Sequence, residues 1–183
     1  MKKGIIITII AMIAVIIAIV FAVNSVPANA IAYEEKVTES YSNIKVYEKK
    51  RADLLPNLAD AIKAYDKHEY ETLMNVIEAR TAKDGTVSDE ALTEIKNMVN
   101  VVMEAYPELK SNENYKEFMK ESAIIENQIV EARKAYNSAV SRYNTYTNNP
   151  LRKMFLNMTG YEKIEFEKLD YDVSEDAPTK LFN

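Results

Sequence analysis

The hydrophobic pattern begins with one long apolar run near the N-terminus. Residues 4–23 carry no charge, and Thr8 is the only hydroxyl-bearing residue among them. As a helix, this run would cover about 30 Å, which is the thickness of the hydrocarbon core of a bilayer. The pattern therefore predicts a transmembrane helix at residues 4–23, and the lipid bilayer is the first expected partner.

The charges on either side of this run predict its orientation. Lys2 and Lys3 precede it, whereas the next basic residue is Lys36. The positive-inside rule then places residues 1–3 in the cytoplasm and residues 24–183 outside it, as a single-pass membrane protein.

A cleaved signal peptide is the alternative to a retained anchor. Within the predicted linker at residues 24–32, Ala28, Asn29 and Ala30 have the A-x-A form of a cleavage site, and Pro27 precedes them. The apolar run is longer than the roughly 7–15 residues of a signal core, which favours retention. Cleavage near Ala30 would instead give a secreted protein, with the domain on the same side of the membrane.

Beyond the linker, apolar residues recur every three or four positions, as on one face of an amphipathic helix. This pattern predicts an elongated antiparallel bundle of three to four long helices over residues 33–160, so the fold class is all-α. The predicted helical segments are 37 to about 80, 88–106, 111–148 and 151–159.

Local signals mark the ends of these segments. Gly85 is a natural residue to follow a helix C-terminus, and Ser88 is a natural N-cap. Pro107 ends the second segment, and Gly160 ends the short last helix. Residues 161–183 are rich in acids, and we expect an extended or disordered tail with Ile164 and Phe166 packed against the bundle.

Pro56 interrupts the first segment and leaves two possibilities. In one, Asp53 caps a new helix with Pro56 in its first turn, and the chain reverses there. In the other, the helix continues and Pro56 bends it, because the proline cannot donate to the carbonyl of Ala52. The apolar stripe continues in phase from Ile44 to Tyr65, which favours a bend.

Composition narrows the classes of function. The chain has 3 glycines, 5 prolines and no tryptophan, which suits helices better than a β-sandwich or an α/β enzyme. It has no cysteine, which excludes disulfides, a thiol nucleophile and cysteine-ligated metals. The net charge of −5 argues against nucleic acid as a partner.

Metal and catalytic sites find little support in the sequence. His68 is the only histidine, and Thr72 stands where an HExxH motif would need its second histidine. The acidic group in the tail lacks the glycine and terminal glutamate of a calcium loop; it consists of Asp170, Asp172, Glu175 and Asp176. We expect no catalytic residue, no metal and no cofactor.

The most informative polar pattern is a repeated Tyr-Asn pair. Tyr136-Asn137 recurs as Tyr143-Asn144, seven residues later, so each residue type repeats on one helix face. These residues and the arginines near them are either a polar ladder that sets the register of the bundle or a strip that binds a partner helix. The structural or partner-binding candidates are Arg51, Asp53, Pro56, Asn57, Arg80, Arg133, Tyr136, Asn137, Tyr143 and Asn144.

The short helix at residues 151–159 offers a second candidate surface. Met154, Phe155 and Met158 are expected either to cap the open end of the bundle or to contact lipid or a partner.

Several blocks of the sequence together resemble the LemA family. They are YSNIKVYEKKRADLLPNLADAIKAYDKHEYETL with the following IEAR, then AYPELKSNENY, and finally ENQIVEARKAYNSAVSRYNTY. The resemblance covers roughly residues 32–155. It implies a membrane-anchored helical bundle with no established enzymatic activity and no catalytic residues to carry over, and the presence of some relatives in magnetosome membranes hints at a role in organising membranes.

These observations predict a membrane-anchored, non-catalytic protein that binds or scaffolds an unidentified protein partner at the cell envelope. An envelope-state sensor or membrane-organising protein coupled through its anchor is the alternative. A metal-dependent, membrane-associated hydrolase is less favoured. The sequence leaves the oligomeric state open.

Overall fold

A computed structural model describes residues 2–170, and all of the regular secondary structure in that range is helical. The helices are α1 (Lys2–Lys63), α2 (Lys67–Arg80), α3 (Asp89–Ala105), α4 (Glu113–Thr147) and α5 (Pro150–Met158), with a 3₁₀ helix at Pro107–Ser111. The predicted all-α fold class is confirmed.

The chain divides into two compact units. Met1–Glu39 and Ala135–Asn183 form the first unit, and Ser40–Lys134 form the second. In the first unit, buried side chains come from α1, α4 and α5, and include Ala30, Val37, Val140, Tyr143 and Leu156. In the second unit, the apolar core includes Leu55, Leu58, Ile62, Leu73, Ile95 and Leu109.

Helix α1 continues without interruption through Pro56. The chain reversal at Asp53 is therefore not observed, and Asp53 is an exposed residue in the middle of a helix rather than an N-cap. Leu55 and Leu58 on either side of the proline are almost fully buried. Their burial offsets the loss of one backbone hydrogen bond at the carbonyl of Ala52.

The first long segment ends earlier than the sequence pattern predicts. Helix α1 ends at Lys63, and α2 begins at Lys67, instead of one helix running to about residue 80. Asp66 is the N-cap of α2, and its carboxylate accepts hydrogen bonds from the backbone N–H groups of His68 and Glu69 at 2.7 and 3.1 Å. The hydroxyl of Tyr106 donates to the same carboxylate at 2.9 Å.

The predicted linker at residues 24–32 is also helical and belongs to α1. Pro27 does not end the helix there. Ala30 is fully buried, and the hydroxyl of Tyr146 donates to the carbonyl oxygen of Val26 at 3.2 Å. This packing against α4 offsets the cost of a proline inside a helix, which is about 3 kcal/mol.

The later helices begin at side-chain caps. Ser88 accepts from the N–H of Ala91 at the start of α3, and Asn112 accepts from the N–H of Tyr115 at the start of α4. Asn149 accepts from the N–H of Arg152 at the start of α5. The sequence pattern places these three helices within a few residues of their observed bounds.

Two glycines adopt a positive φ, as predicted turn and cap positions require. Gly85 has a φ of 78° in the turn between α2 and α3, several residues beyond the end of α2, so it closes that turn rather than capping the helix. Gly160 has a φ of 70° and follows α5. There the N–H of Tyr161 donates to the carbonyl of Leu156 at 3.0 Å, which is the bond of a Schellman motif.

Residues 161–170 contain neither helix nor strand. We call them the tail segment. The rest of the predicted acidic tail, including Asp172, Glu175 and Asp176, lies outside the described residues.

Candidate functional site

The repeated Tyr-Asn pairs lie on α4 in the first unit, where they meet the tail segment. We call Tyr136, Asn137 and Tyr143 the α4 strip. The side-chain amide of Asn137 donates to the carbonyl oxygen of Leu169 at 2.9 Å, and its oxygen accepts from the N–H of Leu169 at 2.9 Å. One side chain therefore satisfies both backbone groups of a single residue.

The two tyrosines of the α4 strip bind further backbone groups of the tail segment. The hydroxyl of Tyr136 donates to the carbonyl oxygen of Glu167 at 3.1 Å. The hydroxyl of Tyr143 accepts from the N–H of Ile164 at 3.0 Å. The α4 strip thus contacts the main chain of the tail segment at residues 164, 167 and 169.

A chain of hydroxyls continues from this contact. The hydroxyl of Tyr161 donates to a carboxylate oxygen of Glu34 on α1 at 2.8 Å, and it lies 3.0 Å from the hydroxyl of Tyr143. Because Tyr161 uses its proton on Glu34, Tyr143 donates to Tyr161. Burial raises the pKa of Tyr161, and the hydrogen bonds to Tyr143 and Glu34 raise it further.

Side-chain contacts add an apolar component to this backbone recognition. The ring of Phe166 packs edge-on against the ring of Tyr143, with centroids 5.1 Å apart. Tyr143 itself is fully buried. Because most of the polar contacts reach backbone atoms, this contact depends little on the side chains of the tail segment.

Asn144 does not join the α4 strip, although the repeat pairs it with Asn137. Its side-chain oxygen is buried and accepts no hydrogen bond from any residue in the described range 2–170. The second Tyr-Asn pair therefore contributes its tyrosine alone.

A second polar cluster lies in the second unit and joins two of the predicted arginines. Arg51 of α1 and Arg133 of α4 both bind Asp89 in the first turn of α3, with shortest N–O distances of 2.8 and 2.9 Å. Arg133 also lies 3.3 Å from Glu48, and Arg51 lies 3.5 Å from Glu126. We call these five residues the arginine cluster.

The contacts of the arginine cluster are typical of a structural role. The side chain of Arg51 is only 3% exposed, and it also donates to the carbonyl oxygen of Val87. Burial alone would raise the pKa of Asp89, but hydrogen bonds and charge from Arg133 and Arg51 outweigh it and lower that pKa. The cluster ties the start of α3 to α1 and α4.

The remaining candidates are dispersed within the second unit. Arg80 pairs with Glu94 at 2.8 Å on the surface, apart from the arginine cluster. Asn57 is exposed and, with Asp60, lines an open groove of about 310 Å³. His68 is exposed near the start of α2, where only its backbone N–H takes part in the cap.

Sequence reasoning missed several members of these two sites. Asp89, Glu48 and Glu126 are the acids of the arginine cluster, and Tyr161 and Glu34 extend the tail contact. Outside these two sites, the N-cap Asp66 was also missed, although Asp66 and Glu69 have the D-x-x-E spacing of a helix N-terminus. Within residues 2–170, no group of three or more His, Asp or Glu side chains is arranged to hold a metal ion.

The N-terminal part of α1 is apolar and exposed. Its most hydrophobic 18-residue window has a mean hydropathy of 3.3, and none of that window is buried. The large apolar side chains from Ile5 to Phe21 are between 45% and 73% exposed. By length and composition this helix fits a membrane anchor.

These features define a class of all-helical proteins with an N-terminal helix that fits a membrane anchor. The chain belongs to the LemA family, whose family profile matches residues 40–182. It is similar to Protein LemA of Metamycoplasma hominis, with 26% identity over 156 residues that cover 78% of this chain and 71% of the relative.

Proposed function

We propose that this protein is a single-pass, membrane-anchored binding protein without catalytic activity, whose α4 strip holds extended peptide segments outside the cytoplasm. The observation that carries the proposal is the two-point contact of Asn137 with both backbone groups of Leu169. A side chain that pairs with the main chain in this way recognises an extended backbone rather than a particular residue.

The tail segment acts as the resident ligand of the α4 strip. It forms no helix or strand of its own, so its release breaks no regular hydrogen-bonding ladder. An extended segment of a partner protein that displaces it would remake the same backbone contacts with Tyr136, Asn137 and Tyr143. Binding would then be a competition between the partner and the tail segment.

The apolar N-terminal part of α1 supports the proposed location of the α4 strip outside the cytoplasm. The exposed apolar side chains of α1 need a nonpolar environment, and the lysines at its N-terminal end favour a cytoplasmic N-terminus. Because the chain has no cysteine, single cysteines can be introduced without background labelling. In intact cells, a membrane-impermeant thiol reagent should label Ser138→Cys and leave Lys2→Cys unlabelled; the reverse pattern would overturn the proposed orientation.

Photo-crosslinking in native membranes tests the binding role. A photoreactive amino acid in place of Ser138, an exposed neighbour of Asn137, should form adducts with a protein partner. Ending the chain after Gly160 should increase those adducts, because the competing tail segment is gone. In this truncated chain, Asn137→Leu should reduce them, whereas Asn144→Leu serves as the matched control.

Two outcomes would contradict the proposal. One is the absence of adducts from the chain that ends after Gly160, provided that circular dichroism shows its helices intact. The other is an equal yield from the Asn137→Leu and Asn144→Leu proteins, since the contact would then not depend on the amide of Asn137.

A further inference from the structure

Besides the apolar N-terminal part of α1, the first unit has an exposed apolar surface on α5. Leu151, Met154 and Met158 are 64%, 48% and 63% exposed. Their spacing of three and four places them on one face of the helix. Lys153 is also exposed but points elsewhere on the helix, and Leu156 is buried against the unit. The α5 face, as we call Leu151, Met154 and Met158, therefore lacks any apolar cover within the described residues.

The first unit places this face beside the end of the anchor. Tyr146 of α4 donates its hydroxyl to the carbonyl of Val26. Val26 lies three residues beyond Val23, the last residue of the apolar run, which is about 4.5 Å along the helix axis. The headgroup region of a bilayer extends about 5–7 Å beyond its hydrocarbon core, so this contact falls at headgroup level.

Helix α5 starts close to that level. Helix α4 ends at Thr147, one residue after Tyr146, and α5 begins at Pro150. The guanidinium of Arg152 lies over the ring of Tyr146, 4.2 Å from its centroid. The N-terminal end of α5 is thus fixed to the same part of α4 that contacts Val26.

The side chains around α5 are of the types found at membrane interfaces. Tyr33 and Tyr146 pack with ring centroids 5.0 Å apart. With Arg142 and Arg152 they line a shallow hollow of about 280 Å³. Tyrosine rings concentrate at the headgroup level of membrane proteins, and arginine there keeps its stem in apolar surroundings while its charge reaches water.

We propose that α5 is an interfacial helix whose α5 face inserts into the same bilayer that holds the anchor. This inference rests on the proposed anchoring of residues 4–23. The N-terminal end of α5 lies beside the end of the anchor, and an apolar face with a basic flank is the pattern of helices that lie in the interface plane. The protein then contacts its membrane at two places, which restricts how the first unit is oriented on the bilayer.

Spin-label accessibility in proteoliposomes tests this proposal on the full chain. Single cysteines at Leu151, Met154 and Met158 carry a nitroxide, with Lys153→Cys as the control on α5 and Ile13→Cys as the reference in the anchor. Collision with oxygen reports lipid, and collision with a water-soluble nickel chelate reports water. Labels on the α5 face should favour oxygen over nickel, as Ile13 does, whereas Lys153 should show the opposite preference.

The outcomes separate this inference from the anchor. If Ile13 favours oxygen while the three α5 labels favour nickel, the interfacial helix is wrong and the anchor stands. If the α5 labels are shielded from both reagents, protein covers the face instead, and the inference is also wrong. If Ile13 itself favours nickel, the anchor fails, and the inference fails with it.

Discussion

Replacing Asn137 by leucine is the most direct test of how the tail segment is held. The substitution removes both hydrogen bonds to the backbone of Leu169. Each is expected to contribute about 0.5–1.5 kcal/mol net, so docking should weaken by about 1–3 kcal/mol. That range corresponds to about a 5- to 150-fold fall in the docking equilibrium constant.

The same substitution should not destabilise the bundle. Leucine has a higher helix propensity than asparagine, and the backbone groups of Leu169 that lose their partner can turn to water when the tail segment detaches. In the full chain, the free energy of global unfolding includes tail docking and should fall with it. In the chain that ends after Gly160, where no docking remains, we expect Asn137→Leu to leave it constant or to raise it. A polar ladder that sets helix register would give the opposite result, a loss of global stability.

Amide hydrogen exchange measures the docking equilibrium residue by residue. In the unaltered protein, the N–H groups of Ile164 and Leu169 are both protected by α4 side chains. Asn137→Leu should accelerate exchange at Leu169, because the N–H of Leu169 loses its acceptor. It should also accelerate exchange at Ile164 by about 5- to 150-fold, because the tail segment is released more often. Asn144→Leu should leave both rates unchanged, because the side-chain oxygen of Asn144 accepts no bond within residues 2–170.

The reasoning would be refuted by two patterns of exchange. Unchanged protection at Ile164 in the Asn137→Leu protein would show that the tail segment does not dock as one unit. Equal acceleration by Asn144→Leu would show that the effect comes from altered helix packing rather than from the amide of Asn137.

Three further changes test other parts of the structure by chemical denaturation. Asp89→Asn should lower the free energy of unfolding by about 1–3 kcal/mol, because Arg51 loses its closest acid in a partly exposed cluster. As a control, Glu94→Gln removes the exposed ion pair with Arg80 and should cost less than about 1 kcal/mol. Because the pKa of Asp89 is lowered in the folded state, its contribution to stability is present above about pH 4 and is lost as the pH falls through the folded pKa. In the Asp89→Asn protein, the free energy of unfolding should therefore fall less steeply as the pH is lowered. Pro56→Ala restores a backbone hydrogen bond inside a continuous helix and should raise the free energy of unfolding by about 1–3 kcal/mol; a loss would argue against an unbroken α1.

The sequence was sufficient for features that depend on local periodicity. The cap at Ser88, the apolar stripe of α4 and the glycine after α5 each lie within, or within a few residues of, the helix that they define. The break after Lys63 was missed because the continuing apolar stripe outweighed the local signal of Asp66 and Glu69, and the contact of Tyr106 with Asp66 joins residues that are 40 positions apart. The apolar pattern itself remains in phase across the break.

For the candidate site, the sequence predicted the residues on α4 but not their partners, and the physical reason is different. The pattern identified the α4 residues that donate and accept, but their partners are backbone atoms of residues 164, 167 and 169. Every residue carries those groups, so no residue type indicates where they bind. The acids of the arginine cluster were missed as well, because Asp89 lies 38 positions from Arg51 and 44 from Arg133, and no local pattern links them.

The arginine cluster and the contact between the α4 strip and the tail segment differ in the free energy needed to open them. This difference distinguishes a structural role from a binding role. Asp89 lies in the first turn of α3, so releasing it from Arg51 and Arg133 disturbs the start of a helix and strands a buried guanidinium. The tail segment carries no helix, and its release exposes the ring of Phe166 and a few backbone groups that water can satisfy. A cluster that opens only with loss of fold cannot exchange partners during function. The contact between the tail segment and α4 can open without such a loss, which is why we propose the binding role for Tyr136, Asn137 and Tyr143 and a structural role for the arginine cluster.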